Sequence, residues 1–419
     1  MPLSNSPSTP TLAYLTAELP GVGGVIKSRP DDFAVEEIPL YQPCGEGTHT
    51  YLRIEKRGLT TQEAARRIAQ ALGKEPRNVG FAGLKDAHAV TRQMLSIEHV
   101  DPDAVASLAI DGVTVLAVDR HTNKLKRGHL AGNRFDIKVR DTLSGALPRA
   151  RAVLDLLTRR GVPNYFGPQR FGNRGDNGRV GLAAMKCDWP EAVRLLLGGP
   201  LPNDRQAEQT ARTHFDAGRL REALGAWPGY CRPQIRMCKE LIRSRDNVRR
   251  AWRAMDFQSR QFLVSAGQSE LFNRLLEERI DRIDELETGD LAWKHANGAV
   301  FRVENTETEQ PRCLAQEISA TGPLFGRRMT QPTDEPLRRE SAVLAAAGLD
   351  LDKMSARDVP FQGGRRPLRV PLRDADLSEG RDDHGPFLRL AFALPAGAYA
   401  TTVLREICKT EPVGADDDD

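Results

Sequence analysis

Six cysteines in 419 residues, none paired at the two-residue spacing that favours zinc or redox chemistry, argue against a disulfide framework and a cysteine-built metal site. Cys44, Cys187, Cys231, Cys238, Cys313 and Cys408 are scattered and read as reduced, mostly structural thiols. The eight histidines show no zinc-type helical spacing, so a metal-dependent hydrolase is disfavoured and no metal is expected. No apolar run approaches the roughly 20 residues that span a bilayer, so no membrane segment is expected. The first dozen residues, MPLSNSPSTPTL, carry neither a basic start nor an apolar stretch. They do not resemble a secretory signal, and cytoplasmic residence is the default. A strong excess of one charge is missing too: 60 Lys and Arg against 57 Asp and Glu leave +3, which says little about partners.

What is present is ordinary for a soluble globular protein, with 40% hydrophobic and 28% charged residues. The length exceeds the usual size of one hydrophobic core, so two domains are expected. Of the 60 basic residues, 48 are arginine, the side chain suited to forked contacts with phosphate, although genomic base composition explains the bias equally well.

Both ends look disordered, the start rich in Ser, Thr and Pro and the finish, GADDDD, acidic. From Gly24 to about Val139 strand-like stretches such as HTYLRIEKR and FDIKVR surround one helical stretch, TTQEAARRIAQALG, whose Thr start and Gly end suit helix caps. Helical periodicity takes over from about Arg149, through RARAVLDLLTRRG, WPEAVRLLLGG, KELIRSRDNVRRAWRAM and SELFNRLLEERI. Strand character returns in FLRLAFALPAG, followed by a helix, ATTVLREIC. A sheet-forming tail cannot stand alone, so it is expected to join the N-terminal sheet and make the middle an insertion.

The most informative stretch is VGFAGLKDAHAVTRQMLSI at 79 to 97, a buried strand, a turn at Gly83 and a run holding Lys85, Asp86, His88, Thr91, Arg92 and Gln93. Polar density beside a strand end is how loops on rigid scaffolds present sites. An Asp after a strand is also a common helix cap or salt-bridge partner, and His88 reads as a general base or, more simply, a core histidine.

GLKDAHAVTRQ resembles the signature of the TruD family of tRNA pseudouridine synthases, and further motifs match in order: IKSRPDDFAVEEI, GNRF, PNYFGPQRFGNRGDN and LPAGAYATTVLRE. The resemblance runs from about residue 24 to 408 and implies an α+β fold. Its catalytic domain is a pseudouridine-synthase-type mixed, mainly antiparallel sheet built from both ends of the chain, with an inserted, largely helical TRUD domain that grips the RNA body. The implied division is a disordered segment at 1–23, catalytic domain at 24–160, insert at 161–363, return segment at 364–410 and acidic tail at 411–419. The family's nucleophilic aspartate falls on Asp86, and the reaction, conversion of a tRNA uridine to pseudouridine, uses no cofactor.

A carboxylate in such a pocket needs a nearby cation to stay ionised. Lys27 is the candidate, with Lys85 the alternative, although neighbours on a strand point to opposite faces. The target base must be flipped out and held by stacking and edge hydrogen bonds. By resemblance Phe33, Asn133, Phe135 and Tyr399 line its pocket, the amide of Asn133 offering donor and acceptor to the uracil edge. For tRNA, the expected partner, two basic stretches qualify. One holds Arg120, Lys124, Lys126, Arg127 and Arg134; the other, at 232 to 253, reads equally as a solvated helix face. The PNYFGPQRFGNRGDN motif reads as structural first, with Arg170 a further RNA contact. A monomer is expected. The alternative reading is an RNA-binding or tRNA-folding protein in which isomerase activity is secondary.

Overall fold

A computed structural model describes residues 12–351 and 363–410; the acidic tail at 411–419 and the first eleven residues of the segment at 1–23 lie outside them. The chain divides into two compact units, Thr16–Val162 with Val370–Asp419, and Pro163–Arg369 with Met1–Leu15.

The first unit is built on a nine-stranded sheet. Its strands are β1 (Gly23–Val25), β2 (Phe33–Pro39), β3 (His49–Lys56), β4 (Val79–Phe81), β5 (Val90–Glu98), β6 (Val113–His121), β7 (Leu130–Thr142), β8 (Arg373–Asp382) and β9 (Gly385–Pro395). They run in the order β8-β9-β7-β2-β5-β3-β6, with β1 added along β7 and β4 along β5. Only the β2 and β5 pairing is parallel. The sheet is thus mixed, mainly antiparallel and built from both ends of the chain. Alternation explains it: Leu52, Ile54, Leu95 and Ile97 face helix α1 (Thr61–Ala71) and close on its Ala64, Ala65 and Ile68. Thr60 caps α1, its hydroxyl accepting from Glu63 N at 3.1 Å, and Gly73 leaves the helix at φ 63°.

The described part of the segment at 1–23, expected to be disordered, is held in place from Thr16 onward. Thr16 gives both its hydroxyl, at 2.5 Å, and its N–H, at 3.1 Å, to Glu406, and Lys409 donates to the Thr16 carbonyl at 2.7 Å. Glu406 is buried in the last helix, Ala400–Cys408, and a buried carboxylate requires such donors. Val22 beyond it is fully buried.

The second unit is largely helical around a four-stranded sheet, in the order Val300–Arg302, Leu291–Lys294, Ile318–Leu324 and Gly364–Pro367. Its longest helix, Phe257–Glu278, crosses Asn177–Met185 at Gly181 and Gly267. A Cβ on Gly181 would lie 2.2 Å from the Leu263 carbonyl, so only glycine permits the crossing. The helical run through KELIRSRDNVRRAWRAM is broken into Arg232–Ser244 and Val248–Ala254. Arg245 and Asp246 adopt left-handed backbones (φ 52° and 64°), and Asn247 starts the second helix by accepting from Arg250 N.

Candidate active site

Register places the candidate side chains. Along β2 and β7, Phe33 stands opposite Ile137, Val35 opposite Phe135 and Glu37 opposite Asn133. Directly paired residues share a face, so Phe33, Phe135, Glu37 and Asn133 lie on one side of the sheet. The Phe33 and Phe135 rings meet edge-on at 6.4 Å, and Phe392, opposite Phe135 on β9, packs against it at 5.4 Å. Phe33 is set by Asp32, whose buried carboxylate accepts from Arg140 at 2.7 and 2.6 Å, while Arg140 also reaches Asp382 at 2.8 Å.

Lys27, just past β1, has a left-handed backbone (φ 56°). Its ammonium sits 4.9 Å from the Phe33 ring centroid and 2.5 Å from Asp86 Oδ2. Of the two lysines considered, Lys27 is therefore the one that meets Asp86. Lys85 goes elsewhere, donating to Asn133 Oδ1 at 2.7 Å and lying 3.4 Å from Glu37. Strand alternation does not explain the divergence, because Lys85 and Asp86 lie in the loop between β4 and β5.

That loop is tied down from below. Lys85 N–H donates to Thr61 Oγ1 at 2.8 Å, and Thr61 donates to Gln93 at 2.9 Å. The fully buried Lys56 donates at 2.6 Å to the carbonyls of both Leu59 and Asp86. Burial brings the Lys56 ammonium down to about 8, the charge of Asp86 resisting and that of Lys85 assisting. Burial also pushes Glu37 up and Lys85 down, each partly held back by the other. His88 is exposed, not a core histidine.

Sequence reasoning missed Lys56 and Glu37, yet both carried a signal. Lys56 is in phase with the buried Leu52 and Ile54, and Glu37 with the buried Phe33 and Val35. A charged residue in the apolar phase of a strand requires a partner inside.

Tyr399 precedes the helix Ala400–Cys408, in the turn after Leu394, which stands opposite Asn133. Lys126 and Arg127 are exposed, Arg127 lying 5.7 Å from the Phe81 ring centroid. Arg120 and Lys124 are half-buried and donate to the carbonyls of Gly47 and Arg77, while Arg134 pairs with Asp374 at 3.0 Å. In the second unit Arg170 lies 5.6 Å from both Phe166 and Phe262. Asn273 clamps the Phe166 backbone, accepting from its N–H at 2.9 Å and donating to its carbonyl at 3.0 Å. On the other basic stretch Arg232, Arg236, Lys239, Arg249 and Arg250 are exposed.

Comparison with known proteins identifies the family. A family model described as tRNA pseudouridine synthase D (TruD) matches residues 11–407. The tRNA pseudouridine synthase D of Geobacter sulfurreducens is 48% identical over 403 residues, 96% of this chain and 98% of that protein. That of Thermus thermophilus is 38% identical over 401 residues, 95% of this chain and 92% of that one. A crystal structure assigned as a tRNA pseudouridine synthase D from Methanosarcina mazei superposes with a TM-score of 0.84 at 25% identity, covering 96% of this chain and 97% of that one. A family match across nearly the whole chain, on a sheet that brings a lysine-paired aspartate and two phenylalanines to one face, makes this protein a member of the TruD family of tRNA pseudouridine synthases.

Proposed function

We propose that this enzyme isomerises one uridine of tRNA, at position 13 in the dihydrouridine-arm region, with Asp86 as nucleophile. The observation that carries the reading is the contact of Lys27 with Asp86 beside Phe33. The ion pair fixes the position of the carboxylate whose oxygen would attack. The bond between ribose C1′ and N1 of the base breaks, the base turns over, and C5 bonds to C1′. The hydrogen lost from C5 is balanced by one gained at N1, so the reaction is an isomerisation and consumes no oxidant or reductant. The base, flipped from its stack, would lie against Phe135 with its edge toward Asn133 and with Phe33 and Tyr399 nearby. Lys126 and Arg127, with Arg120, Lys124 and Arg170, would meet phosphates.

The test is an assay of unmodified tRNA transcripts with purified protein and no added cofactor, locating pseudouridine by a carbodiimide-dependent primer-extension stop. A single stop at position 13 that vanishes with Asp86→Asn is expected. A stop elsewhere would overturn the position, and one that survives the substitution would overturn the nucleophile.

A further inference from the structure

Lys85 stands next to Asp86 in the chain but has no contact with its carboxylate among the described residues. Its side chain is nearly buried, and its ammonium lies between Glu37 and Asn133. An ammonium donates hydrogen bonds and has no lone pair, so the group facing it at 2.7 Å has to be the amide oxygen of Asn133 and not its nitrogen. The amide NH2 is thereby turned the other way, and no acceptor meets it among the described residues. Gly83 keeps this arrangement open: a Cβ there would come within 3.1 Å of Lys85 Nζ and 3.7 Å of Glu37 Oε2. Glu37, its side chain only 2% exposed, supplies the negative charge that keeps an ammonium in this place.

We propose that Lys85 is a positioning residue that locks the Asn133 amide in one orientation, converting a group that could donate or accept into a fixed donor for a carbonyl oxygen of the target base. Held this way, Asn133 gives a hydrogen bond to a base carbonyl and cannot accept one from an amino group, so at ring position 4, where uracil has a carbonyl and cytosine an amino group, it favours uracil. The inference rests on the proposed placement of the base beside Asn133. It narrows the expectation that Asn133 offers both donor and acceptor to the donor alone.

A double-mutant cycle tests it. Lys85→Met, Asn133→Ala and the double variant are compared in single-turnover pseudouridine formation on a tRNA transcript, with tRNA affinity measured separately. Losing a fixed hydrogen bond to the base corresponds to about a tenfold fall in rate. Lys85→Met is expected to show that fall with tRNA affinity unchanged, and to cost less than about twofold more when Asn133 is already alanine. Lys85→Arg, which keeps donors in place, is expected to recover part of the rate. An equal fall in both backgrounds would make Lys85 merely structural and overturn the proposal. If Lys85→Met fails to fold, Glu37→Gln in the same cycle serves instead: its smaller loss must vanish in the Asn133→Ala background, and persistence there overturns the idea. Absence of pseudouridine with the wild-type protein would instead count against the proposed function.

Discussion

Lys27 holds its ammonium 2.5 Å from Asp86 Oδ2 while its own backbone sits in the left-handed region, at φ 56°. A non-glycine residue there costs on the order of 1–3 kcal/mol and persists only where its surroundings impose it. The pairing of β1 with β7, Val25 opposite Arg140, fixes the chain two residues earlier, and the ion pair takes up the side chain. Lys27→Met, which keeps the bulk and removes the charge, is expected to lower kcat roughly a hundredfold, the scale of losing one stabilising donor, with tRNA affinity little changed. Comparison of single-turnover rates with tRNA binding checks this.

With Asp86 as the proposed nucleophile, Asp86→Asn is expected to lower activity by roughly a thousandfold or more. The Asp86 side chain is 32% exposed and its loop is held through backbone contacts from Lys56 and Lys85. Melting temperature should therefore stay close to the wild type, and a large fall would indicate a structural role instead.

Phe135 is 7% exposed and packed between Phe33 and Phe392. Phe135→Ala should cost about 3–5 kcal/mol by urea unfolding, and Phe135→Leu a smaller amount. If the ring stacks on the base, Phe135→Leu should still lose activity, because leucine fills space without offering a flat face.

Lys56 links stability to pH. Its ordinary value is 10.5 and burial lowers it to about 8, so between those values the unfolded chain binds more protons than the folded one. Stability contributed by this group therefore rises with pH across that interval and is least below about 8. Lys56→Met should remove that rise in urea titrations between pH 8 and 10.5. It should also lower activity, because the Asp86 carbonyl loses its donor.

Lys126→Ala with Arg127→Ala should weaken tRNA binding and reduce the slope of log affinity against log salt by up to about two, one contact for each lost cation. An unchanged slope would place the phosphates elsewhere.

Much of the fold was legible because its causes are local. Strand patterning marked 49–57, 135–140 and 387–397, within or overlapping the strands His49–Lys56, Leu130–Thr142 and Gly385–Pro395, and the capped helix at 61–71 showed itself through Thr60 and Gly73. The break at Arg245 and Asp246 was hidden, since both residues fit a helical pattern and only the left-handed backbone reveals the stop. The anchoring of Thr16 was hidden too, because its partner, Glu406, lies nearly four hundred positions away.

For the site, the sequence by itself determined which groups exist: the aspartate, the aromatics, the amide and several lysines within reach of one sheet. It could not assign each lysine to a partner. That decision belongs to the tertiary structure, where strand register places Glu37 opposite Asn133 and the loop after β4 sends Lys85 between them. Lys27 is left to Asp86, and Lys56 is buried against the Asp86 carbonyl. The physical reason is that a buried charge is stable only beside a matching charge or a hydrogen-bonding group, and which groups meet depends on contacts between distant segments that no local pattern encodes.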